Sequence, residues 1–386
     1  MEKNPEFDDI RPFYDDEVAT AIKRLLNNQE FKHAMSFLFP TEKWAKMEQL
    51  LQTFNNIHDF QHQIIKNFIF DLLKRTDSCA DCEGFENVSP KSAYVYISNH
   101  RDIILDSAIL CSILADNGYE TTEIAIGDNL ILSEWIKDLV RLNKSFLVKR
   151  NLSIRETFVA SQLLSRYIHF TIKNKNQSIW IAQREGRAKD SNDSTQDSLL
   201  KMLAMGGDKN FLNNLMELNL TPLTFSYEFD PCDFLKAKEF QKKRDITGFK
   251  KTQADDILNM RTGLLGHKGR IHLKIGQQIN QSLKKLDSSL HKNDLAPLVA
   301  SIIDKEIFLN YKFFPVNYIA YDRLWGKNYF RDKYTDYDIE KYDDYMQKQL
   351  DKIDLPDKDI PFLRVKMEEM YANPVKNYLL IDNNKI

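Results

Sequence analysis

Tyr94-Val95-Tyr96-Ile97-Ser98-Asn99-His100-Arg101-Asp102-Ile103-Ile104-Leu105-Asp106 reads as three things in succession. The aromatic and β-branched run at 94–97 predicts a short buried strand. A polar loop with one histidine and two acids follows. The apolar positions over 103–115, closed by Asn117-Gly118, predict a helix. This strand–loop–helix unit is repeated downstream. Strands are expected at 123–126, 146–148, 178–182 and 222–227, with helices at 133–142 and 153–173 between them. The second of these helices opens with Ser153 and Glu156 at capping-box spacing. A further strand is expected at 271–275, after a turn region at 263–269. Alternating strands and helices predict an α/β fold, a mostly parallel sheet flanked by helices.

Outward from this core the pattern changes. Before it, 17–27 places Val18, Ile22, Leu25 and Leu26 on one helical face, Thr41 is positioned to cap a second helix, and 58–74 has helical apolar spacing. Residues 76–87 are polar and irregular and read as a linker. From Leu295 the chain reads as helical again, with a highly charged stretch at 332–359. The expected division is an N-terminal helical segment (1–88), an α/β domain (89–285) and a C-terminal helical extension (286–386).

The 386 residues are ample for a large core, and 42% hydrophobic with 28% charged excludes a disordered chain. The 54 Lys and Arg balance 56 Asp and Glu, so no global attraction to nucleic acid or anionic lipid exists, and such binding must come from local patches. No apolar run reaches the roughly eighteen residues of a membrane span, and the first residues lack the layout of a signal peptide. The expected location is cytoplasmic. Four Cys at this length make no disulfide scaffold.

In a parallel sheet, ligands bind beyond the carboxyl ends of the strands. The predicted strands are followed there by Asn99-His100-Arg101-Asp102, by Gly127-Asp128-Asn129-Leu130, by Lys149-Arg150 and by Gln183-Arg184-Glu185-Gly186-Arg187. Any one polar loop is ordinary, but four strand ends delivering a histidine, acids and two cationic clusters to one edge describe a site. A histidine deprotonates a hydroxyl near neutral pH, a carboxylate on its other nitrogen fixes the tautomer, and arginines grip phosphate oxygens in a forked geometry. No Gly-x-Ser-x-Gly elbow is present and no Cys neighbours the histidine loop, so a covalent acyl-enzyme has no obvious nucleophile.

These blocks resemble, in order, those of the glycerol-3-phosphate and lysophosphatidic-acid acyltransferase family. The Asn-His…Asp block is Asn99-His100 to Asp106; the second runs from Gly127 to Arg150; the third is Arg184-Glu185-Gly186-Arg187; the fourth is Thr221-Pro222-Leu223-Thr224-Phe225. The likeness covers roughly 90–280. It implies transfer of a fatty acyl group from a coenzyme A or acyl-carrier-protein thioester to a hydroxyl of a glycerol-phosphate or lysophospholipid acceptor, in phospholipid synthesis. His100 would be the general base with Asp106 orienting it. Lys149, Arg150, Glu185, Gly186 and Arg187 would bind the acceptor. The chain departs from the pattern in one place: five residues, not four, separate His100 from Asp106, which leaves Asp102 as an alternative partner. An amine-bearing acceptor such as an aminoacyl lipid, or a non-catalytic lipid-binding role, are the rival readings. The resemblance implies no cofactor beyond the acyl donor, no nucleic-acid partner and no metal.

Two further features bear on partners. His58 and His62, and Cys79 and Cys82, have pairwise metal-ligand spacing but lack third and fourth ligands. A lipid product without a spanning helix implies peripheral attachment, at the inner face of the cell membrane. The basic run Lys242, Lys243, Arg244, Lys250 and Lys251 and the aromatic set from Tyr311 to Trp325 are the docking candidates; a solvated helix face is an equal reading of the first, and a packed core is the favoured reading of the second.

Overall fold

The computed structural model describes residues 3–326 and 328–382. Seven strands form one sheet: β1 (Ser78–Glu83), β2 (Val95–Ser98), β3 (Glu123–Gly127), β4 (Ser145–Val148), β5 (Ile179–Ala182), β6 (Leu220–Tyr227) and β7 (Gly269–Ile275). Their order is β1-β7-β6-β2-β5-β3-β4. The five strands from β6 to β4 run parallel, so their carboxyl ends share one edge. β7 is antiparallel to β6, and β1 pairs parallel with β7.

β2 lies between β6 and β5, and all four of its residues are buried. Its uninterrupted apolar run follows from this, because alternate side chains enter opposite layers. Val95 and Ile97 join a core with Phe146, Tyr167, Ile168 and the helix Lys292–Leu309. Tyr94 and Tyr96 join a second core with the helices Leu105–Asp116 and Lys66–Arg75. The sheet is thus flanked by helices on both faces. On the free side of β4, the amide of Leu147 donates to the carbonyl of Ile10 at 2.9 Å, and Phe7 and Ile10 are buried there. The N-terminal stretch so covers one exposed edge.

The segment expected to be a linker at 76–87 contains the edge strand β1. Only alternate positions of Ser-Cys-Ala-Asp-Cys-Glu are partly buried, so the strand carries no apolar signature. Pairing with β7 specifies it, not its own propensity.

The helices Asp15–Asn27, Gln29–Leu38 and Thr41–Leu51, with the helical stretch from Ile57 to Arg75, build a third cluster around Leu25, Phe31, Leu51, Phe54 and Phe60. It reaches Leu142 and Trp135 of the helix Glu134–Leu142 and so stands over the β3–β4 side of the sheet. A fourth cluster gathers Phe229, from the loop after β6, with Phe314, Ile319, Tyr342, Met346 and Tyr371 of the C-terminal helical region. Most of the aromatic set from Tyr311 to Trp325 is therefore packed core: Tyr311 and Phe314 are buried, Phe313, Tyr318 and Tyr321 pack partly buried against the cores, and Trp325 is the exposed member. Among the described residues, no helix is long and apolar enough to cross a membrane.

Candidate active site

The loop leaving β2 is held by its own polar side chains. The Asn99 amide donates to the carbonyl of Phe225 at 2.9 Å, and its oxygen accepts from the Phe225 amide at 2.8 Å, which extends the β2–β6 ladder by a side chain. Arg101 turns inward, donating to Asp193 at 2.5 Å and to the Tyr311 hydroxyl at 2.9 Å. His100 is thereby placed between two anchors.

His100 Nδ1 lies 2.8 Å from Asp106 Oδ2. The same oxygen accepts the amides of Arg101 (2.6 Å) and Asp102 (3.1 Å), and Asp106 Oδ1 accepts from the Tyr227 hydroxyl at 2.8 Å. Asp106 is fully buried, and every contact it makes is with a donor. A carboxylate so surrounded holds the imidazole proton on Nδ1, which leaves Nε2 as the acceptor. Trp180 packs edge-on against the ring at 5.5 Å between centroids.

Asp102 has a different task. Its Oδ1 accepts the amides of Ile104 (2.9 Å) and Leu105 (2.8 Å) and so caps the helix Leu105–Asp116. Burial, reinforced by neighbouring Asp106, raises its pKa. Gly263 leaves room for it: a Cβ there would stand 2.0 Å from Asp102 Oδ2. The extra residue of the loop is absorbed in the turn before Leu105, and the carboxylate facing His100 is that of Asp106. The amides of Arg101, Asp102, Ile104 and Leu105 are all taken by these two acids, so none of the four is free to receive an oxyanion.

The cations arrive from β4 and β5. The Arg150 guanidinium pairs with Glu185 at 3.0 Å, and its amide donates to Asp128 at 3.0 Å; Lys149 lies 4.0 Å from the same Asp128. Gly186 has φ +67°, the left-handed conformation that turns the chain back after Glu185. Arg187 donates through Nη2 to Asn259 at 3.1 Å, while its buried Nη1 and the buried Nε of Arg184 have no hydrogen-bond partner among the described residues. Lys189 and Lys243 share Glu239, and Lys251 pairs with Asp256. Burial, with the like charges of Lys243 and Lys251, pulls the Lys189 ammonium down to about 7 in spite of Glu239.

All the expected site residues except buried Asp106 line one cavity of ≈ 1330 Å³: His100, Lys149, Arg150, Glu185, Gly186 and Arg187. One wall is cationic, with Arg184, Lys189, Lys243 and Lys251 beside those residues. The other is apolar and comes largely from the N-terminal helices, through Phe31, Met35, Trp44, Leu51, Phe60 and Phe68. Tyr227 and Trp180 were not singled out by sequence. The available signal for Tyr227 was its place as the last residue of a strand running into the same edge; Trp180 gives none, since strand tryptophans are ordinary core. His58 and His62 stack at 3.9 Å, and among the described residues no group of three or more His, Cys, Asp or Glu is placed to hold a metal.

The acyltransferase family model matches residues 79–224. The solved structure of the 1-acyl-sn-glycerophosphate (LPA) acyltransferase PlsC from Thermotoga maritima is similar over 73% of this chain and 95% of that chain, at 12% identity and a TM-score of 0.34. No curated protein matches in sequence. The matched region runs from β1 into β6 and contains the His100 loop and the cations after β4 and β5. The acyltransferase family model thus falls on the part of the chain that carries the first three sequence blocks and most of the fourth.

Proposed function

We propose that the protein moves a fatty acyl group from a thioester, of coenzyme A or an acyl carrier protein, to a hydroxyl of a phosphate-bearing acceptor of the glycerol-phosphate or lysophospholipid class. The observation that carries the reading is that His100 lines one cavity together with the cations Arg150 and Arg187 and with the apolar side chains Phe31, Trp44 and Phe60. An amphipathic donor–acceptor pair needs such a divided space: the acyl chain lies against Phe31, Trp44 and Phe60, and the phosphate lies against Arg150 and Arg187.

The chemistry follows from the tautomer. Nε2 of His100 takes the proton of the acceptor hydroxyl as its oxygen attacks the thioester carbonyl. Asp106 stabilises the imidazolium without taking its proton. The C–S bond of the tetrahedral intermediate then breaks, and the leaving thiolate is protonated by the imidazolium. Acceptor and donor react directly, so no enzyme nucleophile is required. Arg184 and Arg187, each with an unpartnered buried nitrogen, are the donors best suited to an incoming anion.

The test is a transfer assay with purified protein, labelled acyl donors on both carriers, and a panel of acceptors. Glycerol 3-phosphate and lysophosphatidate should be acylated, and amine-bearing lipids should not. Transfer confined to amine acceptors would replace the reading, and absence of transfer to every acceptor would refute it.

A further inference from the structure

The residues on either side of His100 meet at one hydroxyl. The Tyr311 hydroxyl accepts from Arg101 Nη2 at 2.9 Å, donates to Asp193 Oδ2 at 2.6 Å, and lies 3.5 Å from the side-chain nitrogen of Asn99. Arg101 Nη2 reaches the same Asp193 oxygen at 2.5 Å, which closes a triangle of Tyr311, Arg101 and Asp193. All four side chains are buried. Burial, with the neighbouring Asp193 carboxylate, raises the Tyr311 hydroxyl well above its ordinary pKa, so it stays a donor at neutral pH. Each corner of the triangle comes from a different part of the chain. Arg101 belongs to the loop of the candidate base. Asp193 belongs to the loop that leaves β5 and carries Arg184 and Arg187. Tyr311 lies between the helices Lys292–Leu309 and Pro315–Tyr321.

Two further residues tie the loop after β5 to the C-terminal helices. Thr195 donates through its amide and its hydroxyl to Asp304 at 2.9 and 2.6 Å, and Asn373 donates to the carbonyl of Asp190 at 2.8 Å. Tyr311 is itself pinned to β6 from both sides: Thr224 donates to the carbonyl of Ile307 at 3.1 Å, and the Lys312 amide donates to Ser226 at 3.0 Å. Its ring packs with Phe308 and Phe313, at 6.3 and 6.1 Å between centroids. We propose that Tyr311 is a positioning residue that sets the distance from His100 to the arginines after β5, and so makes the C-terminal helices part of the active site. The proposal rests on the preceding reading in one respect, that Arg184 and Arg187 hold the acceptor's anion while His100 takes its proton. Each loop has bonds of its own: His100 keeps Asp106, and the Glu185 amide keeps Gln196. Removing the hydroxyl spares these and the Arg101–Asp193 pair, but it removes the corner that fixes the pair against β6. Each substrate binds through one part of the cavity at a time, whereas transfer depends on the separation of the parts. A misplacement of about 1 Å between reacting groups costs up to about 10²-fold in rate.

The experiment is a double-mutant cycle on the whole chain, with Tyr311→Phe and Arg187→Lys and a phosphate-bearing acceptor. Tyr311→Phe keeps the packed ring, and its melting temperature is measured alongside. It should lower kcat about tenfold and change acceptor KM less than about twofold. In the Arg187→Lys background the same substitution should cost clearly less, because the separation it sets no longer ends on a well-held phosphate. A merely structural loss would cost the same in both backgrounds, and that result overturns the proposal. A second measurement needs no substitution. In hydrogen exchange of the parent chain, the amides of 99–106, 190–196 and 307–312 should open as one unit with a common dependence on denaturant. Loops that open independently of 307–312 overturn the proposal, whether or not Tyr311→Phe folds. A parent that transfers to no phosphate-bearing acceptor refutes the preceding reading and the positioning role with it. A parent that transfers, with equal kcat in folded Tyr311→Phe, refutes the positioning role alone.

Discussion

The two walls of the cavity are built on different physical terms. Behind the polar wall, directional bonds hold the histidine loop: buried Asp106 has four hydrogen-bond partners, and Asn99 is locked to the backbone of β6 at two points. On the apolar wall, side chains of the N-terminal helices meet one another and the helix Glu134–Leu142 chiefly by packing, with Phe31 edge-on to Trp44 and tilted against Trp135, whose indole also donates to Glu30. Proton transfer depends on angles and tenths of an ångström, whereas an acyl chain needs only volume and dryness. A change on the first wall should act on rate, and a change on the second on which chain is accepted.

The sharpest break comes at His100. Replacing it by Ala should lower turnover about 10²–10⁴-fold with an unchanged melting temperature. Asp106→Asn should fall in the same range for a different reason. An amide NH₂ in that position faces amide, hydroxyl and imidazole donors, so one of them loses its acceptor. A folded variant of either kind with near-normal turnover would remove the polar wall from the chemistry.

Next in size is the size filter. Ala34 lines the apolar wall on the helix Gln29–Leu38. Ala34→Phe fills space, and excluding two methylenes costs ~1.6 kcal/mol, about tenfold in preference for shorter donors. Comparison of kcat/KM across a donor series measures it, and an equal loss at every chain length would show that the wall is not the chain's seat. Arg187→Lys keeps the charge and loses the fork, so acceptor KM should rise roughly three- to tenfold with kcat less affected. An unchanged KM would assign the phosphate elsewhere.

The smallest effect is a pH dependence. Lys189, held at about 7, is charged below that value and neutral above it. An anionic acceptor binds better to the charged form, so acceptor KM should rise as pH passes upward through about 7. Lys189→Arg stays charged and should flatten that rise; a KM profile identical to the parent's would exclude Lys189 from binding.

Six of the seven strands and the cationic strand ends were legible in the sequence because the parallel core writes itself as short apolar runs between polar loops. β1 was not, since an edge strand shielded on only alternate residues needs no such run. The His100–Asp106 pair was legible as residues but not as geometry: the added loop residue left two acids in reach, and the choice is made by Asp102 capping the next helix and by Tyr227 arriving from β6. The union of the N-terminal helices with the strand ends into one cavity is a long-range packing event. Amphipathic periodicity announced that those helices bury a face, but not what they bury it against. The aromatic set from Tyr311 illustrates the converse, since composition alone does not separate an interface belt from a core, and burial assigns most of it to the core.

The central claim is that one cavity divides donor chain from acceptor phosphate with His100 at the boundary. A crystal structure of the protein with a non-transferable acyl-thioether donor analogue and an acceptor phosphate tests it most directly. The account places the acyl chain against Phe31, Trp44 and Phe60, the phosphate on Arg150 and Arg187, and the acceptor hydroxyl about 3 Å from Nε2 of His100. An acyl chain seated outside the N-terminal helices, or an acceptor hydroxyl beyond reach of His100, would contradict it.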